Sequence, residues 1–192
     1  VVENCAVSGT IRSKGNAAGL VNCGTANPML WITGYANRAS VTSTAGEASG
    51  CISAFYSTSS SAINLLQGVA NYGAVTGATY AGGLLSTRTN ASSAGTGYFT
   101  FYGCANYGAV TCTAASDPDG IGLGAAGGLV GYATSQNAIC FAGCVSDCTL
   151  SGLHRGQVVG FLFDKSVTEN GQWAGSLVLY AGAEGDGFGA GS

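Results

Sequence analysis

The chain has 192 residues, of which only 8 % are charged, and a formal net charge of −3. That is far below the roughly one quarter usual in soluble domains, yet 46 % of the residues are hydrophobic, so the chain has material for a core and is not disordered in composition. Six scattered basic residues offer no patch for nucleic acid or an anionic membrane surface, no apolar run is long enough for a membrane span, and 33 glycines without a Gly-X-Y period exclude collagen.

In chain order, residues 1–22 open with Asn4-Cys5-Ala6-Val7-Ser8-Gly9-Thr10-Ile11 and close on Ala18-Gly19-Leu20-Val21. Residues 23–34 read as a loop around the turn signal Asn27-Pro28. Residues 35–56 open with Tyr35-Ala36-Asn37-Arg38-Ala39-Ser40-Val41 and close on Ser49-Gly50-Cys51-Ile52, and residues 57–61 read as a polar linker. The third unit, about 63–86, carries Ala70-Asn71-Tyr72-Gly73-Ala74-Val75-Thr76 and closes on Gly82-Gly83-Leu84-Leu85. That heptapeptide returns letter for letter as Ala105-Asn106-Tyr107-Gly108-Ala109-Val110-Thr111, 35 residues later, in the fourth unit at 98–133. The fourth unit closes on Ala126-Gly127-Gly128-Leu129-Val130-Gly131; between the two units, residues 87–97 read as a polar loop. The fifth, 139–163, opens with Gly143-Cys144-Val145-Ser146-Asp147-Cys148-Thr149-Leu150 and closes on Gly156-Gln157-Val158-Val159-Gly160. Past Asp164 the pattern changes: residues 176–180 are expected to form a final strand, and the glycine-rich tail 182–192 is expected to be flexible. The organisation is therefore a repeat domain over 1–163 and a C-terminal strand with tail over 164–192.

The anchors at 5, 35, 69, 104 and 144 are spaced by 30, 34, 35 and 40 residues, the longest interval holding an insert at 113–124. A drifting period belongs to a three-dimensional repeat with loops of variable length. Each unit supplies two short runs alternating with period two, the mark of a strand. Glycine punctuates every run, and no window shows a helical stripe. One such unit cannot bury its apolar face alone, so the expectation is an all-β coil of about five stacked units, a β-solenoid. Stacking would bring Asn37, Asn71 and Asn106 into a column about 4.8 Å apart, able to bond amide to amide. It would stack Tyr72 on Tyr107 on the opposite face, and Val41, Val75 and Val110 between Ile11 and Leu150. Ordinary packing accounts for all of these columns.

Chemistry is sparse. Asp117-Pro118-Asp119-Gly120 places two carboxylates about a turn, as calcium would require, but the remaining ligands of a calcium loop are missing and an Asp-Pro turn explains it. Glu184-Gly185-Asp186-Gly187 reads the same way. His154, the only histidine, lies in an expected loop with neither serine nor carboxylate flagged beside it. No acid pair of the kind polysaccharide-cleaving sites use is visible on one face. No catalytic residue, cofactor or metal site is expected. Eight cysteines, Cys5, Cys23, Cys51, Cys104, Cys112, Cys140, Cys144 and Cys148, form an even set without a CxxC pair and suit an oxidising compartment. Cys5, Cys104 and Cys144 share the anchor position, so Cys104 and Cys144 would lie about 4.8 Å apart, inside the disulfide window. Cys23 with Cys51 is a second candidate pair, and Cys112, Cys140 and Cys148 are expected to cluster. Buried free thiols are the alternative throughout. Asn90-Ala91-Ser92 is an N-glycosylation sequon, expected in an exposed loop.

The closing phrases Ala81-Gly82-Gly83-Leu84-Leu85 and Ala126-Gly127-Gly128-Leu129-Val130-Gly131-Tyr132, paired with Asn-Tyr-Gly-Ala-Val-Thr, resemble GLUG-motif repeats of large bacterial surface and secreted proteins. The resemblance covers about residues 2–163, best in the third and fourth units; Cys51, Gln157 and Val158 depart from it. It implies a right-handed parallel β-helix and supplies no catalytic residue. The expected role is a non-enzymatic, secreted or cell-surface structural or adhesive protein. The chain opens inside the first unit, with no leader in view, and is expected to be a mature product or a fragment. A surface so poor in charge suits coverage by glycans or by neighbouring copies. Open ends suit end-to-end self-association into a filament, in which Cys144 of one copy would approach Cys5 of the next. The alternative is a carbohydrate-binding or carbohydrate-cleaving β-helix with Tyr72, Tyr98, Phe99, Phe101, Tyr102 and Tyr107 as a sugar platform. Ice binding would need threonine ranks through every unit, and Thr76 and Thr111 do not extend so far.

Overall fold

The computed structural model describes residues 1–23, 29–57, 63–90, 98–134, 139–163 and 178–179. Among these there is no helix, and the strands form four sheets with parallel pairing. Such an all-β architecture is compatible with a β-helix or solenoid. The first sheet holds Val2–Glu3, Trp31–Thr33, Ile63–Gln67, Tyr98–Tyr102, Ile139–Ala142 and Val178–Leu179. The second holds Ala6–Ser13, Ala36–Ser43, and the paired short strands Ala70–Asn71 with Val75–Gly77, Ala105–Asn106 with Val110–Cys112, and Val145–Ser146 with Leu150–Ser151. The third holds Ala17–Ala18, Ala48–Ser49, Tyr80–Gly82, Ala125–Gly127 and His154–Gly156. The fourth holds Val21–Asn22, Ile52–Ser53, Phe55–Ser57, Leu85–Asn90, Val130–Thr134 and Val159–Phe163.

Each unit therefore contributes to four sheets, where the alternation in the sequence suggested two runs. The closing phrase is split: Ala81-Gly82 ends one strand and Leu85 begins the next. Three expected loops also shorten. Trp31–Thr33 is a strand of the first sheet, Phe55–Ser57 takes one end of the expected linker, and Leu85–Asn90 runs into the expected polar loop. Residues 24–28, 58–62 and 91–97 lie outside the described residues, as do 164–177 and 180–192. Val178–Leu179 pairs with Cys140 and Phe141 and so extends the first sheet.

The register offsets equal the anchor spacings. Val2 faces Ile32, Ile32 faces Leu66, Leu66 faces Phe101 and Phe101 faces Phe141, which by subtraction gives 30, 34, 35 and 40. The anchors follow: the carbonyls of Cys5, Tyr35, Val69 and Cys104 accept from Ala36, Ala70, Ala105 and Val145 at 2.8–2.9 Å. Before each anchor the backbone turns through the left-handed region, at Asn4 (φ 51°), Gly34 (63°), Gly68 (60°), Gly103 (58°) and Gly143 (60°). Glycine and asparagine tolerate that conformation best, and these residues make the corner between the first and second sheets.

Inside, side chains of one kind stack on one another. Ile11, Val41, Val75, Val110 and Leu150 face one another in series, as do Val21, Ile52, Leu85, Val130 and Val159. Phe99, Phe101 and Phe141 stack with ring centroids 5.1 and 4.9 Å apart. Through this apolar interior runs one polar column. Asn37, Asn71 and Asn106 are fully buried. Asn37 Nδ2 donates to Asn71 Oδ1 at 2.6 Å, and Asn71 Nδ2 to Asn106 Oδ1 at 2.7 Å. Each also donates to a main-chain carbonyl two residues on: Ala39, Gly73 and Gly108.

The column explains the closing glycines. A Cβ on Gly50 would collide with the Asn71 side chain and the Gly83 carbonyl; on Gly83, with Asn106 and the Gly128 carbonyl. The last unit changes both partners together. Ser146 stands where Asn would, facing Asn106, and Gln157 stands where Gly would. Gln157 reaches into the space left by the shorter serine: its Oε1 accepts from Ser146 Oγ at 2.9 Å and its Nε2 donates to the Cys148 carbonyl at 3.0 Å. Ser146→Asn alone should crowd Gln157, and Gln157→Gly alone should leave Ser146 with only the weaker Cys148 thiol as partner, each lowering stability by about 1–3 kcal/mol. The double variant should recover at least half of the summed loss in a denaturant cycle; simple additivity would show that the two positions are not exchanged as a pair.

Candidate functional site

Two exterior surfaces gather the functional residue types. One is the outer face of the second sheet, where Arg38, Tyr72, Tyr107 and Asp147 are all exposed and follow one another in register. Tyr72 and Tyr107 stack at 5.5 Å with 19° between planes, and the Arg38 guanidinium lies 4.7 Å from the centre of the Tyr72 ring. Both faces of Tyr72 are thus covered by side chains of this chain. The rest of the expected sugar platform is dispersed: Phe99 and Phe101 are wholly buried in the core, and Tyr102 is exposed on the first sheet. The side chain of Tyr98 lies outside the described residues.

The other lies outside the third and fourth sheets, where the insert folds back. Tyr80, Tyr132 and Phe161 form a small second cluster with Ala125. Tyr80 and Tyr132 are 4.9 Å apart, Tyr132 and Phe161 6.0 Å, and His154 meets the Phe161 ring edge-on at 4.8 Å. His154 begins a strand, pairing with Ala125, where the sequence suggested a loop. Its Nε2 lies 2.9 Å from Asp117 Oδ2, so the only histidine meets a carboxylate 37 residues earlier in the chain. Asp117 also accepts from the main-chain N–H of Gly122 at 2.8 Å and of Ile121 at 3.2 Å. Burial disfavours its charge, but these N–H groups and His154 outweigh it and hold the carboxyl below the usual aspartate range. Its oxygens are occupied by N–H donors, and Asp119 is exposed, so the calcium turn becomes a loop clasp. Among the described residues no group of histidine, cysteine and acidic side chains is arranged to hold a metal ion.

A buried acid escaped sequence reasoning altogether. Glu47 accepts from Ser86 Oγ at 2.8 Å and from Thr87 Oγ1. Burial, with Glu47 and then Asp117 nearby, raises the Tyr80 hydroxyl above its ordinary range. Two acids, two tyrosines and the histidine thus converge on one strip, but the rings fill it. Among the described residues no hydroxyl or thiol hydrogen-bonds His154.

All eight cysteines are free thiols, so the expected disulfides are absent. Cys23 and Cys51 are out of register: Cys51 aligns with Leu20 and Leu84, whereas the Cys23 N–H bonds to Ser53. Cys112 and Cys148 pack in one cluster, but Cys140 belongs to the first sheet and does not join them. Cys104 and Cys144 are stacked neighbours whose thiols turn to main-chain carbonyls, Leu66 at 3.2 Å and Phe101 at 3.4 Å. Cys5 is exposed and its thiol donates to the Glu3 carbonyl. Asn90 ends a strand opposite Ser57, not a loop, and its side chain lies outside the described residues. Glu184 and Asp186 also lie outside them. No family model, curated protein or solved structure matches the chain.

The lowered Asp117 carboxyl predicts the acid behaviour of the insert. A group depressed in the folded state stabilises it fully above its unfolded value, near 4, and loses that contribution as pH falls through the folded value. Limited proteolysis within 113–124 should therefore be slow at neutral pH and accelerate below about pH 4. Asp117→Ala should be cut rapidly already at pH 7; equal cutting of both proteins across the range would refute the clasp.

Proposed function

We propose that this chain is a non-enzymatic structural or adhesive module of an extracellular or cell-surface protein. In this reading it is a right-handed β-solenoid of about five coils, related to GLUG-type repeats, that associates end to end. The observation that carries the reading is the state of its two ends. Among the described residues, the second, third and fourth sheets finish on the same first and last units, while the first sheet runs on to Val178–Leu179. Ala6–Ser13 pairs, among the described residues, on one side only, with Ala36–Ser43, and Val145–Ser146, Leu150–Ser151, His154–Gly156 and Val159–Phe163 likewise have one neighbour each there. Unpaired parallel edges invite another chain.

The apolar columns reach both ends in matching chemistry. Ile11 and Leu150 terminate one, and Val21 and Val159 another, so a second copy in the same register would continue each. Ala6 and Val145 end the column of Ala36, Ala70 and Ala105, and Val145 is 47 % exposed. A contact of this kind is heterologous and does not close, so it builds a line of copies. The sugar-platform reading is not carried further, because two of its aromatics are in the core and Tyr72 is covered on both faces.

Electron microscopy of the purified chain at neutral pH should show short linear particles several copies long. Val145→Lys should leave the fold intact by circular dichroism and yield single particles. Wild-type protein that stays monomeric at high concentration would sink the end-to-end model.

A further inference from the structure

One corner of the structure stacks two thiols in adjacent units. Cys104 and Cys144 occupy the same anchor in adjacent units, joined by the Val145 N–H to Cys104 carbonyl bond of 2.9 Å. Cys104 is buried against the core, whereas Cys144 is half-buried at the periphery of the same cluster. The turns that precede them, Tyr102-Gly103 and Ala142-Gly143, line a shallow surface depression of about 490 Å³. A half-buried thiol thus sits over a buried one.

From this arrangement we infer that Cys104 and Cys144 form a peroxide-reactive dithiol, with Cys144 as the attacking sulfur and Cys104 as the resolving one. The Cys144 thiolate attacks one oxygen of the peroxide; the S–O bond forms, the O–O bond breaks, and the departing hydroxide or alkoxide takes up a proton. Cys104 then attacks the sulfur of the Cys144 sulfenic acid. The S–S bond forms, the S–O bond breaks, and the hydroxide leaves with the Cys104 proton as water. With hydrogen peroxide, two thiols and one peroxide give one disulfide and two waters. Two electrons pass from sulfur to the peroxide oxygens, and no other reductant is needed.

The electrostatics agree with these roles. Cys144 is held down at about 7, first by the neighbouring Cys104 thiol and further by nearby main-chain groups, against the cost of its burial. Cys104 is pushed up by the same contact and by burial. Burial raises Cys23, Cys51, Cys112 and Cys148. The product would staple two units across 40 residues of chain, 104 to 144. The inference does not depend on the end-to-end assembly and stands or falls separately from it.

The test treats the full-length reduced chain at pH 7 with one equivalent of hydrogen peroxide, then labels free thiols and maps the peptides by mass spectrometry. Cys144 should be consumed about tenfold faster than the exposed Cys5, and the product should be a single intramolecular Cys104–Cys144 disulfide. Cys104→Ser should leave a sulfenic acid at Cys144 that a cyclic 1,3-diketone traps. Cys144→Ser should leave Cys104 as a thiol at the same dose. Equal consumption of Cys5 and Cys144, a disulfide joining Cys144 to Cys148 or to another copy's Cys5, or oxidation of Cys104 in the Cys144→Ser variant would each overturn the assignment. The wild-type rates and product alone decide the matter where a variant does not fold.

Discussion

The structure depends on a buried column of amides lying against a column of glycines. Asn37, Asn71 and Asn106 have no access to water, so each donor and acceptor must be met inside the protein. They meet one another along the stacking direction and the main chain across it. Removing the middle residue would strand a donor on Asn37, at about 1–3 kcal/mol, and leave Asn106 Oδ1 with the Gly108 N–H alone. A slip by one residue would turn the amides out of the interior and put tyrosine or alanine in their place. The column therefore sets register as well as contributing stability. It can lie there because Gly50, against Asn71, and Gly83, against Asn106, carry no side chain to displace it.

From that constraint follows the freedom of the rest. Only inward positions of each unit are bound to their equivalents, so outward positions and connections are free to differ. The interval between anchors can grow from 30 to 40 residues while the register holds. The largest addition, the insert, does not disturb the interior; it folds outside and is clasped by Asp117, with Tyr132 and Phe161 beneath. The end units relax the rule in opposite ways. Val7 faces Asn37 in the first, and Ser146 with Gln157 replaces the Asn and Gly pair in the last.

Much of this was legible in the residues. The exact heptapeptide repeat and the anchors located the stacked positions of the second sheet, because in-register parallel pairing makes sequence offset and spatial neighbourhood the same quantity. The division into four sheets was hidden, since corners made by single glycines or by Gly-Gly leave no mark distinct from a glycine inside a strand. Trp31–Thr33 looked like loop because it follows a turn signal and begins with an outward tryptophan. The Asp117–His154 couple left no trace in spacing, being made by an insert whose path no repeat constrains. Cysteine positions foretold that Cys104 and Cys144 are neighbours; adjacency alone did not say whether the thiols would be joined, and they are not. Cys23 and Cys51 misled because a separation of roughly one unit resembles alignment, whereas the strand pairing displaces them by three residues.

The most direct test of the amide column is the exchange of its side-chain protons, followed by nuclear magnetic resonance on the amide-labelled chain. The Nδ2 protons of Asn37 and Asn71 should exchange as slowly as the most protected backbone amides, and both should sharpen or vanish together with them across an unfolding transition. Exposed Asn22 provides the fast reference. Side-chain protons of Asn71 exchanging at the rate of Asn22 would contradict the account, because a column open to water could neither hold the register nor require the glycines beside it.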